Sequence, residues 1–456
     1  MSQEKVDGTS RSWFRTTLGT VVTLINGRAY KQEEMLTEGT PILRIQNLNG
    51  GDRWFYSNLQ LPPEKYCASG DLLYAWSATF GPYIYEGPRA IFHYHIWNVV
   101  PSAVIDKRFA YYELLRVTDQ IRGSAHGVAM PHVTKGGMEA WPIDLPPMAE
   151  QKRIADKLDT VLTRVDAVNT RLARVAPLLK RFRQSVLAAA TSGRLTEDWR
   201  GNEEPKWTRL VFSDTVVESS TGLVRSAADQ SLMRDGLVPY LKMNSVGEMW
   251  GYHCVDLPGV ECTSEELARY ELKNGDWLFN TRNSVELVGK SCVWNGPVGV
   301  VFNNNLLRVR FKPRIHPMWI EIYFRSPTGR DLLNSVKSAT TSVAAIYQRS
   351  LMDLQVVVPP FEEQTEIVRR VETLFAFADR LEARLAQAQT AATRLTPALL
   401  AKAFRGELVP QDPNDEPAAE LLRRLQAQRT TGAPASKTGA GRGRGCKAAA
   451  SAAANL

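Results

Sequence analysis

Cysteine is scarce in this chain. There are five in 456 residues (Cys67, Cys254, Cys262, Cys292, Cys446), an odd number without close spacing. That excludes a disulfide framework and fits reduced thiols. Long apolar runs are missing as well, and none approaches the ~18 residues a membrane span needs. The opening Met-Ser-Gln-Glu-Lys-Val-Asp has no apolar core of a signal peptide, so no export and a cytoplasmic location are expected. Metal-ligand patterns are also wanting. His93 and His95 alternate on a β-like run and His253 adjoins Cys254, but no four-ligand zinc spacing exists, so they read as ordinary fold residues. Gly289-Lys290-Ser291 resembles the end of a phosphate loop, yet Ser284 stands where that loop needs glycine. The glycine-rich run from Gly439 lies in low complexity and follows no strand. An amino-methyltransferase would need Asn or Asp before its Pro-Pro pair. Here Leu145 and Val358 precede the pairs and cannot accept a hydrogen bond from an amine. No nucleophile triad or carboxylate pair stands out, so the chain reads as non-catalytic.

Acidic residues vanish from Arg423 onward, where seven Lys and Arg stand unopposed. The net charge is +8, so residues 1–422 carry only +1. Any nucleic-acid face on the body must therefore be a local patch. With 44% hydrophobic residues the body can bury cores, and its length suggests about three domains.

What the chain does have is a repeat. Leu145-Pro-Pro-Met-Ala-Glu-Gln-Lys-Arg-Ile-Ala and Val358-Pro-Pro-Phe-Glu-Glu-Gln-Thr-Glu-Ile-Val lie 213 residues apart, and this offset persists to Gly193 and Gly406. Each copy predicts a long helix, over about 146–192 and 359–405. Apolar residues fall at Ile154, Leu158, Val161, Val165, Val168 and Leu172 in the first, and at Ile367, Val371, Leu374, Ala378, Leu381 and Leu385 in the second. Spacings of four and three specify a coiled-coil seam on helices ~60 Å long. Pro-Pro starts and glycine stops bound both, and Pro177 and Pro397 should kink or split them. Connectivity favours antiparallel pairing, because the second globular segment links the end of one helix to the start of the other. The alternative is that each helix packs on its own globular neighbour.

The globular segments echo each other too. Gly39-Thr-Pro-Ile-Leu-Arg matches Gly236-Leu-Val-Pro-Tyr-Leu-Lys, and Gly70-Asp-Leu-Leu-Tyr matches Gly275-Asp-Trp-Leu-Phe. Both show β-like runs, including Thr20–Ile25, Pro41–Ile45, Asp71–Trp76 and Ala90–His95. The expected class is α/β (α+β): two globular domains, two long antiparallel coiled-coil helices, and an internal pseudo-two-fold duplication. Polar residues recur at run ends: Arg44, Gln46, Asn47, Ser77 and Thr79 beside Trp76 in one half, and Lys242, Asn244, Thr281, Arg282 and Asn283 in the other. Such side chains can pair with base edges or phosphates, although any one of them can equally be a solvated loop residue.

The paired Pro-Pro-x-x-Glu-Gln-x-x-Ile motif and the helix ends (Phe182–Ala190 with Gly193-x-Leu195, and Leu399–Leu408) resemble the specificity subunits of type I restriction–modification systems. The resemblance covers residues 15–410, with Thr191-Ser192 departing from the family's usual Phe-Arg. It implies target recognition domains over 1–145 and 197–357 and helical spacers over 146–196 and 358–410. Outside the resemblance, composition predicts a basic, disordered tail over 411–456 with one short helix, Ala418–Gln428. It further implies binding of double-stranded DNA at a bipartite asymmetric site, and docking of two methyltransferase subunits carrying S-adenosylmethionine. Two restriction subunits using ATP and Mg would join them. The chain itself would hold no cofactor or metal and contact no membrane. The readings left open are a self-contained DNA methyltransferase or endonuclease, and a coiled-coil adaptor with two protein-binding domains.

Overall fold

The computed structural model describes residues 12–77, 79–124, 134–201, 203–247, 251–339 and 343–431. They form a mixed helix-and-sheet chain of two compact units, one containing residues up to 169 and from 390 onward, the other 170–389. The division falls inside the two long helices, so each unit holds one globular segment with a part of each helix.

In the first unit, strand Phe14–Thr17 pairs antiparallel with Pro142–Leu145, which leads into the first long helix, Met148–Thr191. A four-stranded antiparallel sheet runs in the order Val22–Asn26, Ile96–Pro101, Leu72–Ala75, Gly81–Ile84. A second sheet orders Phe55–Ser57, Thr40–Leu43, Ala90–Phe92, Tyr66–Cys67, its middle pair parallel. The run Leu72-Leu73-Tyr74-Ala75 is buried throughout because the first sheet has a core on each face. Leu72 and Tyr74 join one apolar cluster, and Leu73 joins the other.

The second unit repeats these pairings. Thr208–Val211 pairs with Gln355–Val358, which leads into the second long helix, Phe361–Ala403. The larger sheet orders Val216–Thr221, Leu306–Phe311, Trp277–Asn280, Ser291–Val293. The next orders Gly259–Val260, Val238–Leu241, Val301–Phe302, again with a parallel pair. Trp277 and Phe279 face one core and Leu278 the other.

The Pro-Pro-x-x-Glu-Gln motif acts as a clamp. Gln151 is fully buried at the start of its helix. Its amide donates to the carbonyls of Val104 (3.0 Å) and Pro146 (2.9 Å), and its Oε1 accepts from the Asp106 N–H (2.8 Å). Gln364 does the same with Arg314 (3.1 Å), Pro359 (2.8 Å) and the His316 N–H (2.8 Å). Beside it, Glu363 accepts from the Trp207 indole (2.9 Å) and Thr196 (2.8 Å) and pairs with Arg200. The corresponding Glu150 is buried among Trp13, Arg153 and Gln411, and desolvation holds its carboxyl above the usual range.

Both helices run unbroken through Pro177 and Pro397, so the expected split does not occur. Both prolines lie on exposed faces, where water can take the carbonyls they leave unpaired. Gly193 (φ 78°) and Gly406 (φ 71°) take the left-handed conformation that ends each helix. Of the seam positions, Ile154 and Leu158 share a core with Leu400 and Ala403 in the first unit. Ile367 and Val371 share one with Val186, Leu187 and Ala190 in the second. Leu385 is buried, Val161, Leu172 and Leu374 are half-buried, and Val168 and Leu395 are exposed. In the second unit Arg183 bridges the helices to Asp379 (2.5 Å) and Glu382 (2.5 Å).

Residues counted with the tail in the sequence reading pack into the first unit. Ala418 and Leu422 are buried in its core, and Asp415 pairs with Arg153 (2.5 Å). These apolar positions belong to the helix Ala418–Thr431, whose buried face outweighs the basic composition. The remainder of the tail, 432–456, lies outside the described residues.

Gln364→Ala should lower the unfolding free energy by roughly 3 kcal/mol, because it strands the buried Pro359 carbonyl together with the Arg314 carbonyl and the His316 N–H. Urea titration measures this, and a loss below about 0.5 kcal/mol would contradict the clamp.

Candidate nucleic-acid interface

In the first unit a tight turn, residues 93–95, joins strands Ala90–Phe92 and Ile96–Pro101. His93 and His95 therefore do not alternate along one strand, as expected from the run Ala90–His95. The chain reverses there instead. His93 N–H donates to the Leu43 carbonyl (2.9 Å), Tyr94 N–H to Arg28 (3.0 Å) and Ile96 N–H to His93 (2.9 Å). The Trp76 indole donates to the Tyr94 carbonyl (2.8 Å) and sits edge-on to His95, with centroids 5.0 Å apart.

Beside this turn opens a 420 Å³ cavity lined by Arg44, Gln46, Ser77, Thr79, His93 and His95, among others. Four residues selected from sequence thus converge on one hollow. Arg44 lies 5.3 Å from the Phe55 ring centroid. Gln46 donates to the Arg53 carbonyl (2.9 Å), and Thr79 is bonded to Asn49 (3.0 Å). Asn47 is turned inward on its loop. Its Oδ1 accepts from Arg44 N–H (3.1 Å), and its amide donates to Gly51 (3.3 Å) and Arg53 (3.0 Å).

The spacing of the two histidines in sequence suits no metal and gives no sign of a shared site. Among the described residues no group of three or more His, Cys, Asp and Glu is placed to hold one. Only the turn brings them to Arg44, and a turn between two short apolar runs leaves little trace in periodicity. Burial pushes His93 down to about 4, with His95 and Arg44 adding repulsion, and burial and Arg44 lower His95 as well. Near neutral pH both rings are uncharged, each with one donor and one acceptor nitrogen.

In the second unit Lys242 is half-buried and donates to Gln230 (3.0 Å), while Asn244 is exposed. Thr281 donates its hydroxyl to the Asn305 carbonyl (2.9 Å), and Asn283 Oδ1 accepts from Ser284 N–H (2.9 Å). Arg282 is exposed on a short strand, opposite Ala345. Arg282 and Asn244 therefore face solvent, whereas Thr281 and Asn283 bind the local backbone. Arginine and exposed amides beside half-buried aromatics can bond base edges and stack on them.

Known proteins resemble the chain in sequence and in fold. Residues 11–176 match the type I restriction modification DNA specificity domain. The chain is 31% identical to the EcoKI specificity subunit of Escherichia coli K12, over 91% of this chain and 95% of that one. It is likewise 31% identical to the Escherichia coli EcoBI specificity subunit, over 92% of each. The HsdS subunit from Thermoanaerobacter tengcongensis shares the fold with a TM-score of 0.55 at 20% identity, covering 88% of this chain and 98% of that one. A chain from a type I R-M system assembly superposes with a TM-score of 0.60 at 19% identity, covering 88% and 99%. The chain belongs to the specificity subunits of type I restriction enzymes. It is a non-catalytic DNA-recognition component that assembles with the other restriction–modification subunits and has no cofactor of its own. Among the described residues no helix is long and apolar enough to cross a membrane.

Free histidine titrates near 6.5, so between pH 6.5 and 4 the unfolded chain binds a proton that folded His93 refuses. Stability should fall as pH drops through that window. His93→Gln should lose less than wild type between pH 7 and pH 5, read as urea midpoints. Equal losses would show that His93 is not the responsible group.

Proposed function

We propose that the chain reads a bipartite, asymmetric DNA site, with residues 1–145 contacting one half and residues 197–357 the other. The observation that carries this reading is the repeated strand order, which bears different polar side chains at matching places. A shared framework with unlike reading groups suits two unlike half-sites. The candidate contacts are Arg44, Gln46, Asn47, Ser77 and Thr79 in one half and Lys242, Asn244, Thr281, Arg282 and Asn283 in the other. Asn47, Thr281 and Asn283 would shape loops as well as touch DNA.

The spacers 146–196 and 358–410 form an antiparallel coiled coil in this reading, with Ile154, Leu158, Val161, Leu172, Ile367, Val371, Leu374 and Leu385 in its seam and an internal pseudo-two-fold relating the halves. Helices of 44 and 43 residues, about 65 Å each, would set the unread spacer between half-sites. They would dock two methyltransferase subunits, which bring S-adenosylmethionine and flip the target adenine. Two restriction subunits would supply ATP- and Mg-dependent cleavage, all in the cytoplasm. Phosphate contacts position such a complex, and base-edge contacts select the sequence.

Co-expression with the methyltransferase subunit, followed by mapping of methylated adenines, should return a single two-part motif. Duplexes whose spacer is changed by one base pair should bind the complex at least tenfold more weakly. Methylation by the purified chain alone would establish a self-contained enzyme, and indifference to spacer length would favour a protein adaptor.

A further inference from the structure

The turn at 93–95 has a counterpart that the sequence does not reveal. In the second unit, residues 303–305 join strands Val301–Phe302 and Leu306–Phe311. Three of the backbone bonds match. Asn303 N–H donates to Leu241 (2.9 Å) as His93 does to Leu43, and Leu306 N–H donates to Asn303 (2.9 Å) as Ile96 does to His93. Thr281 N–H donates to Asn305 (2.9 Å) as Trp76 N–H does to His95 (3.1 Å). Each turn also presses on a glycine. A Cβ at Gly27 would lie 2.2 Å from the His93 carbonyl oxygen, and one at Gly222 would lie 2.6 Å from that of Asn303.

On this common frame the side chains are wholly different: His-Tyr-His with Trp76 and Arg44 alongside, against Asn-Asn-Asn with Thr281 and Lys242. Asn303 is committed internally, donating to Tyr240 (2.8 Å) and accepting from Asn305 N–H (2.8 Å). Asn304 and Tyr94 stand exposed at the tips, with Asn305 and His95 half-buried behind them. A tip held by backbone bonds on three sides presents its side chain at little entropic cost.

We infer that the turns 93–95 and 303–305 are the specificity-determining elements of the two halves, acting through Tyr94 with His95 and through Asn304 with Asn305. Asparagine can bond adenine at N6 and N7 in the major groove, whereas an aromatic tip backed by a neutral imidazole suits stacking or a thymine methyl. This assignment rests on the DNA reading proposed above.

The test uses the chain assembled with its methyltransferase subunits, carrying Tyr94→Ala or Asn304→Ala. Both side chains are exposed, so folding should survive, with urea midpoints as the check. Tyr94→Leu keeps apolar bulk near Trp76 if the alanine variant proves unstable. Methylated sites are mapped, and affinities are measured for duplexes with single base changes. The Tyr94 variants should relax discrimination about tenfold or more in one half-site, and Asn304→Ala should do so in the other. Wild-type discrimination in both halves for either folded variant, or both variants relaxing the same half, would overturn the assignment. Failure of the underlying reading looks different, because the wild-type complex itself would then give no two-part motif.

Discussion

A single buried amide governs each half of this molecule. Gln151 and Gln364 each tie the start of a long helix to the Pro-Pro turn before it and to a loop of the globular segment. Three bonds to backbone groups fix such a side chain in place, and removing it would leave buried carbonyls of Val104, Pro146 and Pro359 without that partner. Helix direction relative to the sheets follows from the clamp. Everything mounted on the sheets, including the turns at 93–95 and 303–305, inherits its position.

The sheets carry that constraint outward. In each unit the larger sheet separates two apolar clusters, so the strands Leu72–Ala75 and Trp277–Asn280 bury side chains on both faces. The rigid wall ends in a short turn supported by a neighbouring strand end and by a glycine that leaves room for a carbonyl. Of each three-residue turn only the tip, Tyr94 or Asn304, is exposed, so that position can change its chemistry without disturbing the core. The flanking residues are tied in, Asn303 to Tyr240 and Asn305, and His95 to Trp76.

The charge distribution fits the same division. Residues 1–422 are close to neutral, yet Arg44 and Arg282 stand where bases or phosphates could approach. Some other arginines are taken up by structural pairs. Arg183 is held between Asp379 and Glu382, and Arg200 is held against Glu363. Counting positive residues could not separate these roles, because pairing depends on neighbours far away in the chain.

Periodicity and terminators made the long helices legible in the sequence alone. Heptad spacing, Pro-Pro starts and glycine stops placed both helices within about two residues, because these are local rules of backbone and side-chain geometry. The paired motif likewise pointed to the family. Tertiary structure decided what Gln151 and Gln364 do, since two of the three partners of each lie 45 to 50 residues away. It also drew Ala418 and Leu422 into the first unit's core and turned Asn47 inward. Above all it gathered His93 and His95 with Arg44, whose sequence separations carry no repeating pattern. Local chemistry writes helices into a sequence, but a recognition surface is assembled from strand ends that meet only when the sheets close.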